Sequence, residues 1–169
     1  GYDVTLTATN DSETSTLGGI LTVGNNLQFT DGGWDVNAAA NVTNTVTISG
    51  DAEVDAAGGA VTAAAGVVIT STNDVSFAGN LITPVLNAAS ATGAITVDFD
   101  GNTAAVTSLT GSGNDTIELN DGVVFTVNSG DGVDTITVTD VAAGTVINSA
   151  GGADVIDDND DGVIFTVAT

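Results

Sequence analysis

Apolar and polar residues alternate along most of the chain in short runs rich in Val, Ile and Thr. Such runs recur at 4–7, 20–23, 45–48, 67–70, 95–97, 135–138 and 163–167. Turn-forming residues separate them, among them Gly18-Gly19, Asp31-Gly32-Gly33 and Asp121-Gly122. No stretch has the i, i+3, i+4 apolar spacing of an amphipathic helix, and the Ala-rich segments at 36–40 and 63–65 have strand-like neighbours. The pattern predicts an all-β protein.

A motif repeats in the last third of the chain. The pattern Gly-x-Asp-(Thr/Val)-Ile begins at Gly113, Gly132 and Gly152, at almost even steps. A second segment, 121–127, returns in similar form at 161–167. A step of about 20 residues with two or three short strands is the size of one β-solenoid coil, and stacked coils bury a continuous column of Val and Ile. The repeat therefore predicts a β-solenoid, or a β-roll-like stack, with coils of about 20 residues.

Two regions of the chain differ in regularity. Residues 1–90 contain similar strand-like runs without a countable period and are expected to form an irregular β region, whereas residues 91–169 form an acidic repeat region. We expect one continuous structural unit, because the segment 88–93 does not have the character of a domain linker. The alternative is a β-sandwich, in which each step of the repeat corresponds to a hairpin and Tyr2–Thr9 is a donor strand for a neighbouring subunit.

The composition removes several classes of function. The 169 residues include 22 Asp and Glu but no Lys, Arg, His, Cys or Met, so the formal net charge is −22. Nucleic-acid binding needs cationic side chains, and zinc sites, disulfides and catalysis by Cys, His or Lys need residues that are missing here. We therefore expect no nucleic-acid partner and no enzyme activity. Membrane insertion is not expected either, because no run reaches the roughly 18 apolar residues of a membrane helix.

The carboxylates cluster at the predicted turns, and stacking these turns brings like charges together. Adjacent coils of a solenoid are about 4.8 Å apart. At that distance two carboxylates repel by roughly 3 kcal/mol for an effective dielectric constant of about 20, against a total stability of about 5–15 kcal/mol for a typical domain. Because no cationic side chain offsets this repulsion, the sequence predicts bound hard divalent cations, calcium above all.

Three segments resemble the calcium-binding nonapeptide G-G-x-G-x-D-x-U-x of RTX repeats. They span 110–118, 129–137 and 149–157, and each matches the fourth, sixth and eighth positions of the nonapeptide. The resemblance, to RTX-containing proteins of the surface-layer and adhesin type, covers about 60 residues and implies a set of calcium ligands. This set comprises Asp115, Asp134 and Asp154, the carbonyl groups at Gly113, Gly132 and Gly152, and the turn residues Asn114 and Asp131.

A further acidic segment, 157–162, has the sequence Asp-Asp-Asn-Asp-Asp-Gly. Its spacing fits the opening D-x-N-x-D-G of an EF-hand loop, but the twelfth position is Ala168 instead of Glu and the flanks are strand-like. We therefore predict a looser calcium loop with Asp157, Asn159 and Asp161 as ligands. The segments 98–102 and 51–55 are weaker versions of the same acidic pattern.

These features together predict an extracellular, cell-surface structural protein. Apolar strands at 4–7 and 163–167 leave both ends of the stack without a polar cap, so we expect self-association through terminal strands into a calcium-stabilised filament, sheath or surface layer. The start Gly1-Tyr2-Asp3 resembles that of a processed, secreted chain. The alternative is a non-polymeric calcium-binding adhesion or accessory module of a larger secreted protein. Three N-x-(S/T) triplets, beginning at Asn10, Asn41 and Asn114, permit glycans.

Overall fold

The computed structural model describes residues 1–7, 14–149 and 151–159, and the backbone of 166–168. Every regular element within these residues is a β-strand, which confirms the all-β prediction. All strand pairings in the same residues are parallel. This described part of the chain contains no helix with the length and apolar character of a membrane span.

The strands form three sheets, and within each sheet neighbouring strands are hydrogen-bonded. Sheet A contains, in spatial order, β1 (Val4–Leu6), β4 (Leu27–Phe29), β7 (Thr45–Ile48), β10 (Gly66–Ile69), β13 (Val85–Asn87), β15 (Val106–Leu109), β17 (Phe125–Asn128), β19 (Val146–Asn148) and β21 (Thr166–Ala168). Sheet B contains β2 (Thr14–Leu17), β5 (Gly33–Val36), β8 (Glu53–Asp55), β11 (Val75–Phe77), β14 (Ile95–Phe99), β16 (Thr116–Asn120), β18 (Thr135–Asp140) and β20 (Val155–Asp158). Sheet C contains β3 (Leu21–Val23), β6 (Ala40–Val42), β9 (Val61–Ala63) and β12 (Leu81–Ile82).

The chain visits these sheets in turn and then returns to the first, so it winds as a β-solenoid. Along sheet A, Val4 pairs with Leu27, Leu27 with Val46, and Val46 with Val67. Each successive pairing advances along the chain by about 20 residues, the size of one coil. The predicted coil length is therefore confirmed, and it extends through the first half of the chain as well. The sandwich alternative is wrong, because sandwich sheets are antiparallel.

We number as coils 1 to 8 the eight successive pairs of one sheet A strand and the sheet B strand that follows it. Alternate residues of each strand point into the solenoid, as the period-two sequence pattern requires. The inward residues are mainly Val, Ile, Leu, Phe and Ala, and most are almost fully buried. Trp34 belongs to this core: its ring packs edge-on against Phe29 with centroids 5.5 Å apart, and its Nε1 donates to the Asp31 carbonyl oxygen at 2.8 Å.

The coils change shape where sheet C ends. Its described strands belong to coils 1 to 4, and after β14 the chain reaches β15 through residues 100–105. The Asp121 carboxylate holds this connection, accepting hydrogen bonds from the Gly101 N–H (2.6 Å), the Asn102 N–H (3.0 Å) and Asn102 Nδ2 (2.9 Å). Asn102 Oδ1 in turn accepts the Thr83 N–H at 2.8 Å. Asp121 and Asn102 therefore tie three successive coils together.

Candidate metal centre

One inward column of sheet B changes its chemistry along the solenoid. The strand registers place the following side chains above one another, from coil 3 to coil 8: Val54, Val75, Ile95, Asp115, Asp134 and Asp154. Asp115 is 1% exposed and Asp134 is 0% exposed, whereas Asp154 is half-buried. The three aspartates of the repeated motif thus continue a column that is aliphatic in the preceding coils.

Each of these aspartates is hydrogen-bonded to the coil before it. Asp115 Oδ1 accepts the Ile95 N–H at 2.8 Å, Asp134 Oδ1 accepts the Asp115 N–H at 2.9 Å, and Asp154 Oδ1 accepts the Asp134 N–H at 3.0 Å. A carboxylate that accepts a backbone N–H forms a stronger bond than a neutral acceptor does. The column is therefore a ladder in which every rung satisfies a buried backbone donor of its neighbour.

A matching column of hydroxyl groups lies at the end of sheet A. Thr110, Ser129 and Ser149 occupy successive coils in register and are all buried. In coils 2 to 5 the same column consists of Phe29, Ile48, Ile69 and Ala88. The Thr110 hydroxyl lies near Asp115, and the Ser129 hydroxyl lies near Asp134. We call the inward side of these two columns in coils 6 to 8 the polar corner.

Several oxygen atoms of the polar corner have no hydrogen-bond partner. They are Asp115 Oδ2, Asp134 Oδ2 and Ser129 Oγ, each of them buried. The Thr110 hydroxyl does not satisfy Asp115, because its proton goes to the Ser129 carbonyl oxygen at 2.7 Å. Buried polar atoms are nearly always hydrogen-bonded, so unpartnered oxygens in one small region point to a bound ion or ordered water.

Burial changes the acidity of these carboxyl groups. Burial, together with the charge of the neighbouring Asp134, raises the pKa of Asp115 from 3.8 to about 6, although the Ile95 N–H offsets part of the rise. Burial also raises the pKa of Asp134, as do the charges of Asp154 and Asp131, while the Asp115 N–H opposes the shift. Without a counter-ion, the ionised form of both carboxyl groups is therefore energetically unfavourable.

The glycines of the motif are required by close packing between coils. A Cβ atom on Gly113, Gly132 or Gly152 would collide with the carbonyl oxygen of the stacked glycine one coil earlier, namely Gly93, Gly113 or Gly132. Gly132 also has a φ of +127°, a conformation that favours glycine. The carbonyl oxygens of Gly113 and Gly132 therefore lie inside the turn stack, two residues before the aspartates.

The remaining predicted turn ligands lie outside the polar corner. Asn114 is exposed, and its Oδ1 accepts the Val133 N–H at 2.9 Å. Asp131 is also exposed; its N–H donates to the Gly111 carbonyl oxygen at 3.0 Å, and its Oδ1 lies against Gly151. Both residues thus have contacts on the outer surface of the turns.

The predicted ligands of the second acidic segment are also placed apart. Asp157 is exposed on the outer face of β20, in register with Thr137 of β18. Asn159 follows that strand, is exposed, and donates its N–H to the Val138 carbonyl oxygen at 2.8 Å. Asp161 lies outside the described residues. The structure therefore brings Asp115, Asp134 and Asp154 into one column, and it does not bring Asp157 or Asn159 to that column.

The donor atoms of the polar corner are of the kinds that calcium binds. Calcium prefers carboxylate, carbonyl and hydroxyl oxygens in flexible arrangements, and the corner offers all three types. Asp115 Oδ2 and Asp134 Oδ2 are free to bind without breaking the N–H ladder. Across the described residues no three acidic side chains converge as a metal-binding group, so backbone and hydroxyl oxygens would complete any site here. On this chemistry the residues fit the ion.

A third perturbed carboxyl group lies on the outer face of sheet B. Asp98 Oδ1 is buried and has no hydrogen-bond partner. Burial, together with the charges of Glu118, Asp100 and Asp121, raises the pKa of Asp98 to about 6. Asp98 and Glu118 are register partners on neighbouring strands, so their repulsion follows directly from the coil stacking.

Sequence reasoning missed the hydroxyl column and the Asp121 contacts. The hydroxyl column did carry a signal, because Thr110, Ser129 and Ser149 each stand five residues before the motif aspartate. Asp121 belongs to an Asp-Gly turn that reads as a solvated bend, and only the neighbouring coil reveals which donors it meets.

Comparison of the chain with known protein families, with curated proteins and with solved structures found no match. The class of protein is therefore defined by the fold: the chain is a parallel β-solenoid with an acidic repeat. The polar corner places carboxyl groups in the interior of this solenoid.

Proposed function

We propose that this β-solenoid is an extracellular structural protein, a calcium-stabilised subunit of a filament, sheath or surface layer. One observation carries the proposal: Asp115 and Asp134 each bury a carboxylate oxygen that no group of the described chain neutralises. The sequence contains no Lys, Arg or His that could supply a counter-charge. A cation from solvent is therefore the natural partner of these groups.

Calcium bound in the polar corner supplies positive charge to both carboxylates. The expected ligands are Asp115, Asp134 and Asp154, with the Ser129 hydroxyl and the carbonyl oxygens of Gly113 and Gly132. Sites with few carboxylates bind calcium in the range of about 10⁻⁴–10⁻³ M that is typical of extracellular modules.

The open edge of the stack supports self-association. The strands β1, β2 and β3 each stand at the end of their sheet, and no described strand pairs with their outer edges. Inward apolar side chains of this first coil, among them Val4, Leu6 and Leu17, are only partly buried. Exposed strand edges above an apolar interior are templates for pairing with another coil. We propose that a coil of a second copy pairs there.

Calcium binding is tested by urea unfolding of the full chain in EDTA and in calcium. At a free calcium concentration of about 100 times Kd, binding to the folded state alone raises the free energy of unfolding by about 3 kcal/mol. Asp134→Asn keeps the Oδ1 acceptor and removes the charge, so it should lose most of this response. An unfolding curve that calcium leaves unchanged in the parent chain contradicts the proposed ion.

End-to-end growth is tested at the edge of β1. The Val4 N–H donates to the Asn26 carbonyl oxygen, and the Thr30 N–H donates to the Leu6 carbonyl oxygen. Thr5 alternates with these residues, so its N–H points away from β4. Thr5→Pro therefore removes a donor only from the free edge, and Thr5→Val is the matched control.

In sedimentation velocity with calcium, the parent chain and Thr5→Val should form large species that Thr5→Pro does not form. A parent chain that calcium stabilises but that stays monomeric at all concentrations rejects the polymer and favours the non-polymeric adhesion or accessory module.

A further inference from the structure

The acidic residues are segregated to one side of the solenoid. Of the 22 acids, 18 lie in the described residues, and 17 of these are on sheet B or in the turns that flank it. The exception is Asp3, which precedes β1. Neither the strands of sheet C nor those of sheet A up to β19 contain an acidic residue. A chain of net charge −22 thus has one extended face without charge.

The outer face of sheet A is a regular array of uncharged side chains. One outward column runs Val85, Thr107, Thr126 and Val146 in register. Val85 is 38% exposed, although it is a large apolar residue. The adjoining column is made of Asn, Leu and Val side chains, including Leu109 and Asn128. β-branched and small polar side chains on a sheet face pack well against a second sheet about 10 Å away.

The lack of charged and aromatic side chains on the outer face of sheet A indicates which kind of partner it can bind. A cationic partner would gain more by docking on sheet B, where the carboxylates are. A glycan platform needs exposed aromatic rings, but Phe29, Trp34, Phe77, Phe99 and Phe125 are all buried. Among the described aromatic residues only Tyr2 is exposed, and it precedes β1 instead of lying on the strands of sheet A. Two copies of this chain, in contrast, can approach each other only where their carboxylates do not meet, and the outer face of sheet A meets that requirement.

The size of the face is close to what a stable pair needs. Eight strands at about 4.8 Å spacing give a length of roughly 35 Å. Strands of three or four residues give sheet A a width of about 13 Å, and the corner with sheet C widens the uncharged surface to about 20 Å in coils 1 to 4. The resulting area of roughly 600 Å² per copy lies toward the lower end of the range around 800 Å² per partner that is typical of standard interfaces.

We infer that sheet A is a self-association surface through which two copies pack face to face. Such a contact is isologous and closes as a pair. It is separate from the strand edges at the end of the stack and needs no calcium. The pairing and the proposed filament can therefore fail independently.

The test uses sedimentation velocity on the full-length Thr5→Pro variant in EDTA, which removes edge growth and calcium bridging. Into this background we place Thr126→Glu on sheet A or the matched Thr135→Glu on sheet B. Both threonines are exposed strand residues of coil 7, and both substitutions give the same net charge. Melting curves by circular dichroism check that the two variants fold equally well.

The Thr5→Pro chain should form dimers whose dissociation constant falls as NaCl is raised, because salt screens the repulsion between two anionic copies. Thr126→Glu should raise that constant at least about 100-fold, since it buries two like charges in the contact, while Thr135→Glu should change it by less than about threefold. A monomer at every salt concentration overturns the inference. So does an equal loss of dimer in both variants.

Discussion

The two inward columns that meet at the corner between sheets A and B are apolar in coils 2 to 5 and carry hydroxyl and carboxyl groups in coils 6 to 8. Beside the apolar columns, the turn of coil 4 buries the single hydroxyl of Ser71, which donates to the Ala52 carbonyl oxygen. Phe29 meets Trp34 in coil 2, whereas Ser129 lies beside Asp134 in coil 7. The strand order of sheets A and B continues through both regions, and the register of sheet B shifts only beyond Leu119, at the far end of the β16–β18 pairing from the corner. The same backbone position thus accepts two opposite kinds of interior.

The two kinds of corner differ in what they need from the solvent in order to be stable. Apolar side chains stabilise the corner by leaving water, at about 25 cal/mol per Å² of buried surface, and need nothing from the solvent. The carboxylates of coils 6 to 8 satisfy backbone N–H groups directly, but their ionised form is costly when buried. The apolar corner of coils 2 to 5 therefore needs no counter-ion, while the stability of the polar corner in coils 6 to 8 depends on protons or cations.

The largest effect is expected from moving a carboxylate into the apolar corner. Ile95→Asp places an acid beneath Asp115 and opposite Ala88, where no hydroxyl group is available. We expect a loss of about 4 kcal/mol or more in the free energy of unfolding, measured by urea titration in EDTA. The control Ile95→Val should lose only about 1 kcal/mol. Equal losses in the two variants contradict the division between the regions.

The pH dependence of the polar corner is the next largest effect. The folded-state pKa of Asp115, about 6, exceeds its ordinary value of 3.8, so the folded chain binds the proton more tightly than the unfolded chain does. This stabilisation is complete below pH 3.8 and is lost as the pH rises through about 6. The shift corresponds to about 3 kcal/mol for Asp115.

In EDTA, the free energy of unfolding should therefore fall between about pH 4 and pH 7. Asp134 and Asp98 act in the same direction, because their pKa values are also raised. Asp115→Asn should therefore reduce the slope of the curve in this interval without removing it, and calcium at pH 7 should restore the part of the loss that comes from Asp115 and Asp134. A stability that rises over the same interval in EDTA is incompatible with these pKa shifts.

A smaller effect separates the two roles of Asp134, which are hydrogen bonding and charge. Asp134→Ala leaves the buried Asp115 N–H without its acceptor, whereas Asp134→Asn preserves an acceptor oxygen. In EDTA at pH 8 the Asn variant should be more stable than the Ala variant by about 2 kcal/mol. It should also equal or exceed the parent chain, because the buried charge is gone. If Ala and Asn behave alike, the N–H ladder contributes little.

The smallest effect is expected on the outer surface of the turns. Asn114→Ala removes the acceptor of the Val133 N–H, but water can replace it because the site is exposed. We expect a loss of about 0.5–1 kcal/mol and an unchanged stabilisation by calcium. Asn114→Asp, which keeps the acceptor, should stay close to the parent chain. If Asn114→Ala is no longer stabilised by calcium, Asn114 is a calcium ligand and the expectation is wrong.

The length of one coil could be predicted from the sequence only in the part of the chain where both the strands and the turns repeat at the same spacing. In coils 6 to 8 the turn from sheet A to sheet B keeps one length, so the motif around Asp115 and Asp134 recurs at an even step. Coil 5 has a longer turn between Asn87 and Ile95, and aliphatic residues there replace the aspartate. A changed turn length and the absence of the motif aspartate are therefore the two reasons why the period could not be counted in the first half of the sequence, although its strands pair in the same way.

The existence of sheet C and the inward direction of the buried carboxylates could not be predicted from the sequence, each for its own reason. The strands of sheet C are two or three residues long, too short for alternation to be recognised. An aspartate in a Gly-rich turn normally reads as solvated. Only the register with Ile95, in the preceding coil, shows that Asp115 points inward.

The purely nearest-neighbour pairing of the coils has a consequence for the length of the molecule. Because Thr116 pairs with Thr135 and Thr135 with Val155, a tandem copy of 116–134 supplies the strand pairings that its two flanking rungs require. Gene duplication of this segment can therefore elongate the rod by about 4.8 Å per event while the order of strands in sheets A and B is kept.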